Sequence, residues 1–366
     1  MNKDNNFSMS KNLFRKSALA AALAVCAATN IQAQLLNPVT TSESGTDGYQ
    51  LVFSDEFDGP DKTQPDANKW VRCVRQGATW NRWLSDSEEV IYLEDGRLIA
   101  RAIPNPDQQT DPVPMITGGV KTRGKFSFKY GKLECRALNH PWSGNFPAIW
   151  LMPDDDSAGW PACGEIDIFE AIDDSRVTWH TLHSHWIDAL GQRYNPQYSF
   201  TGYYNLDEYH VYGLEWDENT ISWYVDGTFI GSYAKSTNQR DLDDGQWPFD
   251  KPFYVILNQS VGDGSWAKYA DVNHTYVTEF DWIRIYQKPG QENSNGTVAV
   301  DCVQHDDLWN VRTTRNAVII EASAPTLFHI CTLQGETLFH EQIDGSRIVS
   351  LAEGIYIVNG RKIKVG

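Results

Sequence analysis

The chain is expected to be an all-β protein, a large sandwich or barrel followed by a second, small β-unit. Three observations predict this. Residues 220–233 read as a hairpin: Ile221, Trp223 and Val225 alternate with Ser222 and Tyr224, Asp226-Gly227 follows, and Phe229 to Tyr233 returns. Asp-Gly between such runs marks a tight turn, because both turn positions take positive φ. Gly131 to Leu138 alternates in the same way, with Leu133, Cys135 and Ala137 on one face. No long helical periodicity occurs after residue 33. Many short strands with turn residues between them, in a chain of 366 residues, indicate a sandwich or barrel with room for something small.

The first segment, 1–33, lies outside the fold. Lys11, Arg15 and Lys16 form a basic start, Ser17 to Ala28 is an apolar run of small residues, and Ile31-Gln32-Ala33 offers a cleavage site. This reads as a secretory signal peptide, so export to the periplasm, cell surface or medium is expected. Leu23-Ala24-Val25-Cys26 resembles a lipoprotein box, but Val25 is bulkier than the small residue wanted before the cysteine; anchoring at Cys26 is the lesser alternative. Residues 34–48 form a polar linker. The strand-rich large domain spans 49–288 and ends in a strand, Glu279 to Gln287, with bulky residues on both faces. A second linker, 289–299, contains Pro289 and Gly296. Residues 300–366 form the small β-domain, with strands at Val318-Ile319-Ile320, Thr326 to Thr332 and Gly354 to Val358. Its ending, Ala352 to Gly360, resembles the C-terminal sorting domains of proteins exported by type IX secretion. The alternative is an accessory β-sandwich with no separate function.

The formal net charge is −17. Phosphate backbones repel such a chain, so nucleic acid is excluded as a partner, whereas a neutral polysaccharide is not. A monomer is expected. Of six cysteines, Cys26 leaves with the leader, and the rest show no CxxC spacing. That argues against a disulfide framework or zinc site, although a single bridge such as Cys302–Cys331 is compatible with the count. Fourteen Trp, sixteen Tyr and fifteen Phe are enough both to fill a core and to line a sugar-binding cleft.

The informative run is Gly164-Glu165-Ile166-Asp167-Ile168-Phe169-Glu170. On a regular strand Glu165 and Asp167 share a face, and Glu170 points the other way. All three acids share a face only if a β-bulge inserts one residue near Ile168-Phe169. Paired carboxyl groups are what glycoside cleavage with retention needs: one attacks the anomeric carbon, and the other protonates the leaving oxygen and later activates water. Crowded like charges help keep that acid protonated. Asp167, between them, would orient the nucleophile. Other readings of the run are a solvated sheet face or a calcium site. The neighbouring Pro147 to Pro153, Trp160-Pro161 and Trp179 favour a sugar cleft.

Residues from about Leu51 to Lys288 resemble glycoside hydrolase family 16. The resemblance is carried by Phe53 to Gly59, Gly118 to Thr122, Tyr130 to Ala137, Trp160 to Glu170 in its bulged form, Leu214-Glu215-Trp216 and Phe280 to Tyr286. It implies a concanavalin A-like β-jelly roll and endo-acting, retaining hydrolysis, with no cofactor required. By motif position it implies Glu165 as nucleophile, Asp167 as its partner, Glu170 as acid/base and His183 as a histidine near the acid/base. It implies Trp150 and Trp160 as cleft tryptophans, and Asp281 as a structural calcium position distant from catalysis. Phe146 departs from the tryptophan found there in many β-glucanases, which puts one stacking subsite in doubt. The stretches 183–188 and 246–254 resemble a branch holding both β-glucanases and enzymes that cut β-galactosidic bonds.

Further substrate-binding candidates are Arg82 and Trp83 in a loop, Trp142, and Asn258 and Gln259 on a strand that matches the family's inner sheet. Arg82 and Trp83 read equally well as a tethered loop, and Trp142 and Trp266 as core. On a strand His183 and His185 share a face and His180 points away, which is too few ligands for a catalytic metal; His180 and His185 are expected in packing and at the rim. The expected substrate is a β-1,3- or mixed β-1,3/1,4-glucan. The alternative enzyme is an endo-β-galactosidase acting on galactans, porphyran or host O-glycans. A non-catalytic carbohydrate-binding jelly roll is the alternative from another class, but it has no need of both acids.

Overall fold

The computed structural model describes residues 48–288, 291, 293, and 309–365 except 315, 333–336 and 360. The leader, most of the first linker, Cys26, Cys302 and most of the second linker lie outside the described residues. Fifteen strands build the large domain: β1 Gln50–Asp55, β2 Val71–Arg72, β3 Ile91–Glu94, β4 Arg97–Pro104, β5 Met115–Lys121, β6 Gly131–Asn139, β7 Asn145–Pro153, β8 Glu165–Ala171, β9 Val177–His183, β10 Ser199–Tyr203, β11 His210–Trp216, β12 Thr220–Val225, β13 Thr228–Ala234, β14 Phe253–Val261 and β15 Tyr276–Gln287. They form two faces of a sandwich. One runs β10-β9-β8-β7-β14-β5 with β2 beside β5, and the other runs β4-β15-β6-β11-β12-β13. Strand β5 pairs with β14 and also with β4, which joins the two faces. At that crossing Gly118 has no room for a side chain, since a Cβ would lie 2.0 Å from the Val90 carbonyl oxygen. The hairpin between β12 and β13 turns at Asp226 and Gly227, both at positive φ as the sequence predicts.

Between the faces lies an aromatic core. Trp216, Trp223, Tyr212, Phe169, Phe249, Phe253 and Phe280 are all essentially inaccessible. Burying side chains of this size contributes about 2–3 kcal/mol each. Two buried indoles also satisfy backbone oxygens: Trp223 Nε1 donates to Asp167 O at 2.9 Å, and Trp216 Nε1 donates to Phe249 O at 3.1 Å. The first ties β8 to the opposite face. Only two short helical pieces were found in the large domain, a π-turn His185–Ala189 and α1 Gln239–Asp243, among the described residues. No described helix is long and apolar enough to cross a membrane. The thiols of Cys73, Cys135, Cys163 and Cys331 are free.

The small unit contains β16 Trp309–Thr314, β17 Ala317–Thr332, β18 Thr337–Ser350, β19 Gly354–Val358 and β20 Arg361–Val365. Its long β17–β18 hairpin breaks register between Ala322 and Thr326, and it encloses its own core of Val318, Ile320, Phe328, Ile330, Tyr356 and Val358. From β20, Lys362 Nζ donates to Gly96 O and lies 3.0 Å from Asp281 Oδ1 of β15.

Candidate active site

Strand β8 is irregular where the three acids require it. Asp167 pairs with Trp150 of β7, but Phe169, not Ile168, pairs with Ile149. Toward β9, Asp167 pairs with Thr181 and Glu170 with Trp179. One extra residue is therefore accommodated at Ile168-Phe169, a β-bulge. Ile166, Ile168, Phe169 and Ala171 all enter the core. Glu165, Asp167 and Glu170 are thereby left on the outer face together. A bulge leaves a carbonyl without its ladder partner. Here the buried His180 Nδ1–H donates to Ile168 O at 2.7 Å, and the His180 Nε2 accepts from Thr178 Oγ1 at 2.9 Å. Burial pushes His180 down to about 4, so it is the neutral ring that holds the bulge. Just before the strand, Gly164 has φ +87° and packs under Pro248, Phe249 and Phe253; a Cβ there would lie 2.9 Å from Pro248 Cγ. Only glycine takes that conformation readily.

The acids are crowded. A carboxylate oxygen of Glu165, one of Asp167 and a ring nitrogen of His183 all lie within 4.8 Å of one another. Glu165 Oε2 accepts from Trp160 Nε1 at 2.8 Å, and the Trp160 ring is mostly exposed. Asp167 is 2% exposed, and burial together with the charges of Glu165 and Glu170 pushes its carboxyl well above the usual range. Burial likewise pushes Glu170 up to about 7, restrained by the charge of His183 and aided by that of Glu165. His183 Nε2 lies 3.5 Å from Asp167 Oδ2. Burial opposes a charge on His183, but the hydrogen bond with Asp188 and the surrounding carboxylates outweigh it and push the ring up to about 9. Chemically this places Glu165 beside a Glu170 pushed toward its protonated form, with a buried acid and a cationic imidazole next to them.

The other expected residues divide. Trp150 lies on the same face but is 5% exposed, capped edge-on by Trp80 at 4.8 Å. Asn258 Oδ1 accepts from Trp150 Nε1 at 2.7 Å, so Asn258 orients a tryptophan and is not itself open to a sugar. Gln259 is fully buried on the core side of β14, where its amide donates to Asn145 Oδ1 at 2.9 Å and its carbonyl accepts from Thr278 Oγ1 at 2.7 Å. The expectation that both residues reach substrate is therefore corrected: consecutive strand residues face opposite ways, and both amides are already used. Arg82 and Trp83 also take the tethering role. Arg82 Nη2 donates to Gly262 O at 2.8 Å, its guanidinium stacks 4.1 Å from the Trp83 ring, and Asp263 lies 3.3 Å away. This locks the loop that presents Trp266. Trp142 does offer an exposed ring, stacked on His274 with centroids 4.2 Å apart.

Asp281 corrects the calcium expectation. Its Oδ2 accepts from Arg136 Nη1 at 2.5 Å, and its Oδ1 faces Lys362 Nζ. Two cations already neutralise the carboxylate, so these residues do not fit a calcium ion. His185 Nδ1 lies 3.1 Å from Asp244 O, away from the acids. Sequence reasoning missed Asp188, five residues past His183, and did not foresee that Trp179, paired with Glu170 in the ladder, meets Trp266 edge-on at 5.1 Å.

Residues 82–284 match the model of glycosyl hydrolases family 16. A keratan-sulfate endo-1,4-beta-galactosidase of Sphingobacterium multivorum is 35% identical over 70% of this chain and 58% of its own length. A glucan endo-1,3-beta-glucosidase A1 of Niallia circulans is 31% identical over 68% of this chain and 39% of its own. The chain thus spans little more than half of the first relative and less than half of the second. Among solved structures, the laminarinase of Rhodothermus marinus superposes with a TM-score of 0.56 at 29% identity, covering 65% of this chain and 97% of that one. The matched segment contains the bulged strand and all three of its acids, and the chain belongs to glycoside hydrolase family 16.

Proposed function

We propose that the protein is a secreted, monomeric, endo-acting β-glycanase that cleaves with retention. The observation that supports this is the bulge, which puts Glu165, Asp167 and Glu170 on one face beside His183. In this reading Glu165 attacks the anomeric carbon while Glu170 protonates the departing oxygen. The bond from C1 to the leaving oxygen breaks as the bond to the Glu165 carboxylate forms. Glu170, now ionised, takes a proton from water, and the resulting hydroxide releases the sugar from Glu165. Trp160 orients the nucleophile, and Asp167 with His183 spreads the charge that builds up beside it.

Because Glu170 must carry a proton, kcat/KM is expected to fall as pH rises through about 7, where that proton is lost. A profile flat from weakly acidic to weakly alkaline pH would contradict the assignment of Glu170 as the acid.

The substrate class is a β-linked hexose polymer. We read it as a β-1,3- or mixed-linkage glucan, in line with the laminarinase likeness. A galactose-containing glycan is the second reading, and the 35% identity to the keratan-sulfate enzyme supports it. A chain of net charge −17 favours neutral polymers over heavily sulfated ones in either case. Incubation with laminarin, barley mixed-linkage glucan, agarose, porphyran, desulfated keratan and mucin glycans decides between them. Ladders of oligosaccharides from the glucans establish the first reading, and ladders only from the galactose polymers establish the second. Binding without any product would establish a lectin-like protein and overturn the enzyme. Export rests on the leader at 1–33 and the sorting-domain-like ending; an exported form that still begins at Met1 would overturn the cleavage.

A further inference from the structure

Asp188 belongs to no expected site, yet it grips the one imidazole that faces the acids. Both of its oxygens lie 3.2 Å from His183 Nδ1. Its Oδ2 also accepts from the Ser184 backbone N–H at 3.1 Å. The π-turn that carries it is fixed at both ends: Ser184 Oγ accepts from Ile187 N at 3.3 Å, Trp186 and Ile187 are buried in the core, and Leu190 N–H donates to His185 O at 3.0 Å. Asp188 is thus held by backbone and packing.

The groups that face His183 are Glu165, Asp167 and Glu170 from β8, Asp188 from its own turn, and the Trp160 ring, 5.6 Å away and tilted by 45°. The charged members of that set are all carboxylates. His185, the next histidine along, turns to Asp244 O instead. With Nδ1–H directed into the Asp188 fork, Nε2 is the atom aimed at the acids, 3.5 Å from Asp167 Oδ2.

We propose that Asp188 is a positioning residue that holds the His183 ring as a cation against β8, and that this fixed cation sets the upper pH limit of Glu170 as the acid. The proposal rests on the assignment of Glu165 and Glu170 given above. The charge of His183 restrains the upward shift of Glu170, and the hydrogen bond from Asp188 is what offsets the burial of His183. Without the Asp188 charge the ring loses its proton at lower pH. Glu170 then loses its restraint and keeps its proton to higher pH.

The test compares the wild type with Asp188→Asn and Asp188→Glu in steady-state kinetics from about pH 4 to about pH 10, on a soluble polysaccharide that the enzyme cleaves. In Asp188→Asn the alkaline limb is expected to move up by about 1 unit, with kcat reduced and KM nearly unchanged. Asp188→Glu is expected to restore the limb toward the wild-type position. A uniform loss of kcat with the limb unmoved would overturn the proposal and leave Asp188 a structural residue. A second measurement needs neither turnover nor a stable Asp188 variant. NMR titration of the His183 ring in the wild-type protein, assigned by its loss in His183→Gln, is expected to show a proton retained well above the ordinary histidine range. Titration near 6.5 would overturn the proposal while leaving the roles of Glu165 and Glu170 intact.

Discussion

Glu165→Ala is expected to lower kcat on the polysaccharide by about 10⁴-fold or more, with the fold unharmed. The rate effect is large because no neighbouring group replaces a carboxylate nucleophile. Asp167 is buried, with its carboxyl pushed well up, and Glu170 is assigned to the acid's part in the proposed mechanism. The fold is unharmed for an electrostatic reason. Glu165 is half-buried, and its carboxylate accepts a hydrogen bond from the exposed Trp160. Removing its charge relieves repulsion on Asp167 and Glu170. The midpoint of thermal unfolding near neutral pH is therefore expected to stay level or rise. An inactive variant with a lower midpoint would mean that Glu165 is structural. Activity within tenfold of the wild type would remove it from the mechanism.

Glu170→Ala is expected to lower kcat on the polysaccharide by about 10³–10⁴-fold, but its signature lies in what survives. An aryl glycoside with an acidic phenol leaves without protonation, so attack by Glu165 on it should persist, and the glycosyl-enzyme should accumulate. Azide then takes the place of the water that Glu170 no longer activates. Addition of azide should restore turnover and give a glycosyl azide of the starting β-configuration. Equal loss on both substrates with no azide rescue would refute the acid/base assignment, whatever the result with Glu165.

The common face of Glu165, Asp167 and Glu170 was legible because chemistry and strand geometry constrain each other. Three acids spaced E-x-D-x-x-E share a face only across an inserted residue, so the demand for a common face predicted the bulge and its place. Strand parity, followed strictly, also argues against pairing Asn258 with Gln259. Val255, Leu257 and Gln259 alternate on the core side of β14, and Ile256 and Asn258 face the other way. The inner strand is buried on both faces, so composition gave no polar stripe to mark the outer one. Asp188 was not legible, because a five-residue π-turn is too short for periodicity and its grip on His183 depends on how the turn closes. Nor was the role of His180, since only the finished bulge leaves the carbonyl that it satisfies. At Asp281 the family pattern was present, but the two cations that face it come from distant parts of the chain, Arg136 and Lys362.

The extra residue in β8 bears on how this sequence can change. Losing Ile168 would leave a plain strand in which the three acids fall at alternate positions, still side by side. Losing Ile166 would turn Glu165 toward the interior, and losing Asp167 would remove the central acid. A one-residue loss is thus tolerable to the chemistry at the bulge, Ile168 or Phe169, and ruinous at Ile166 or Asp167. Lineages descended from such a sequence can differ by a single codon in the middle of their catalytic strand and still inherit the same reaction.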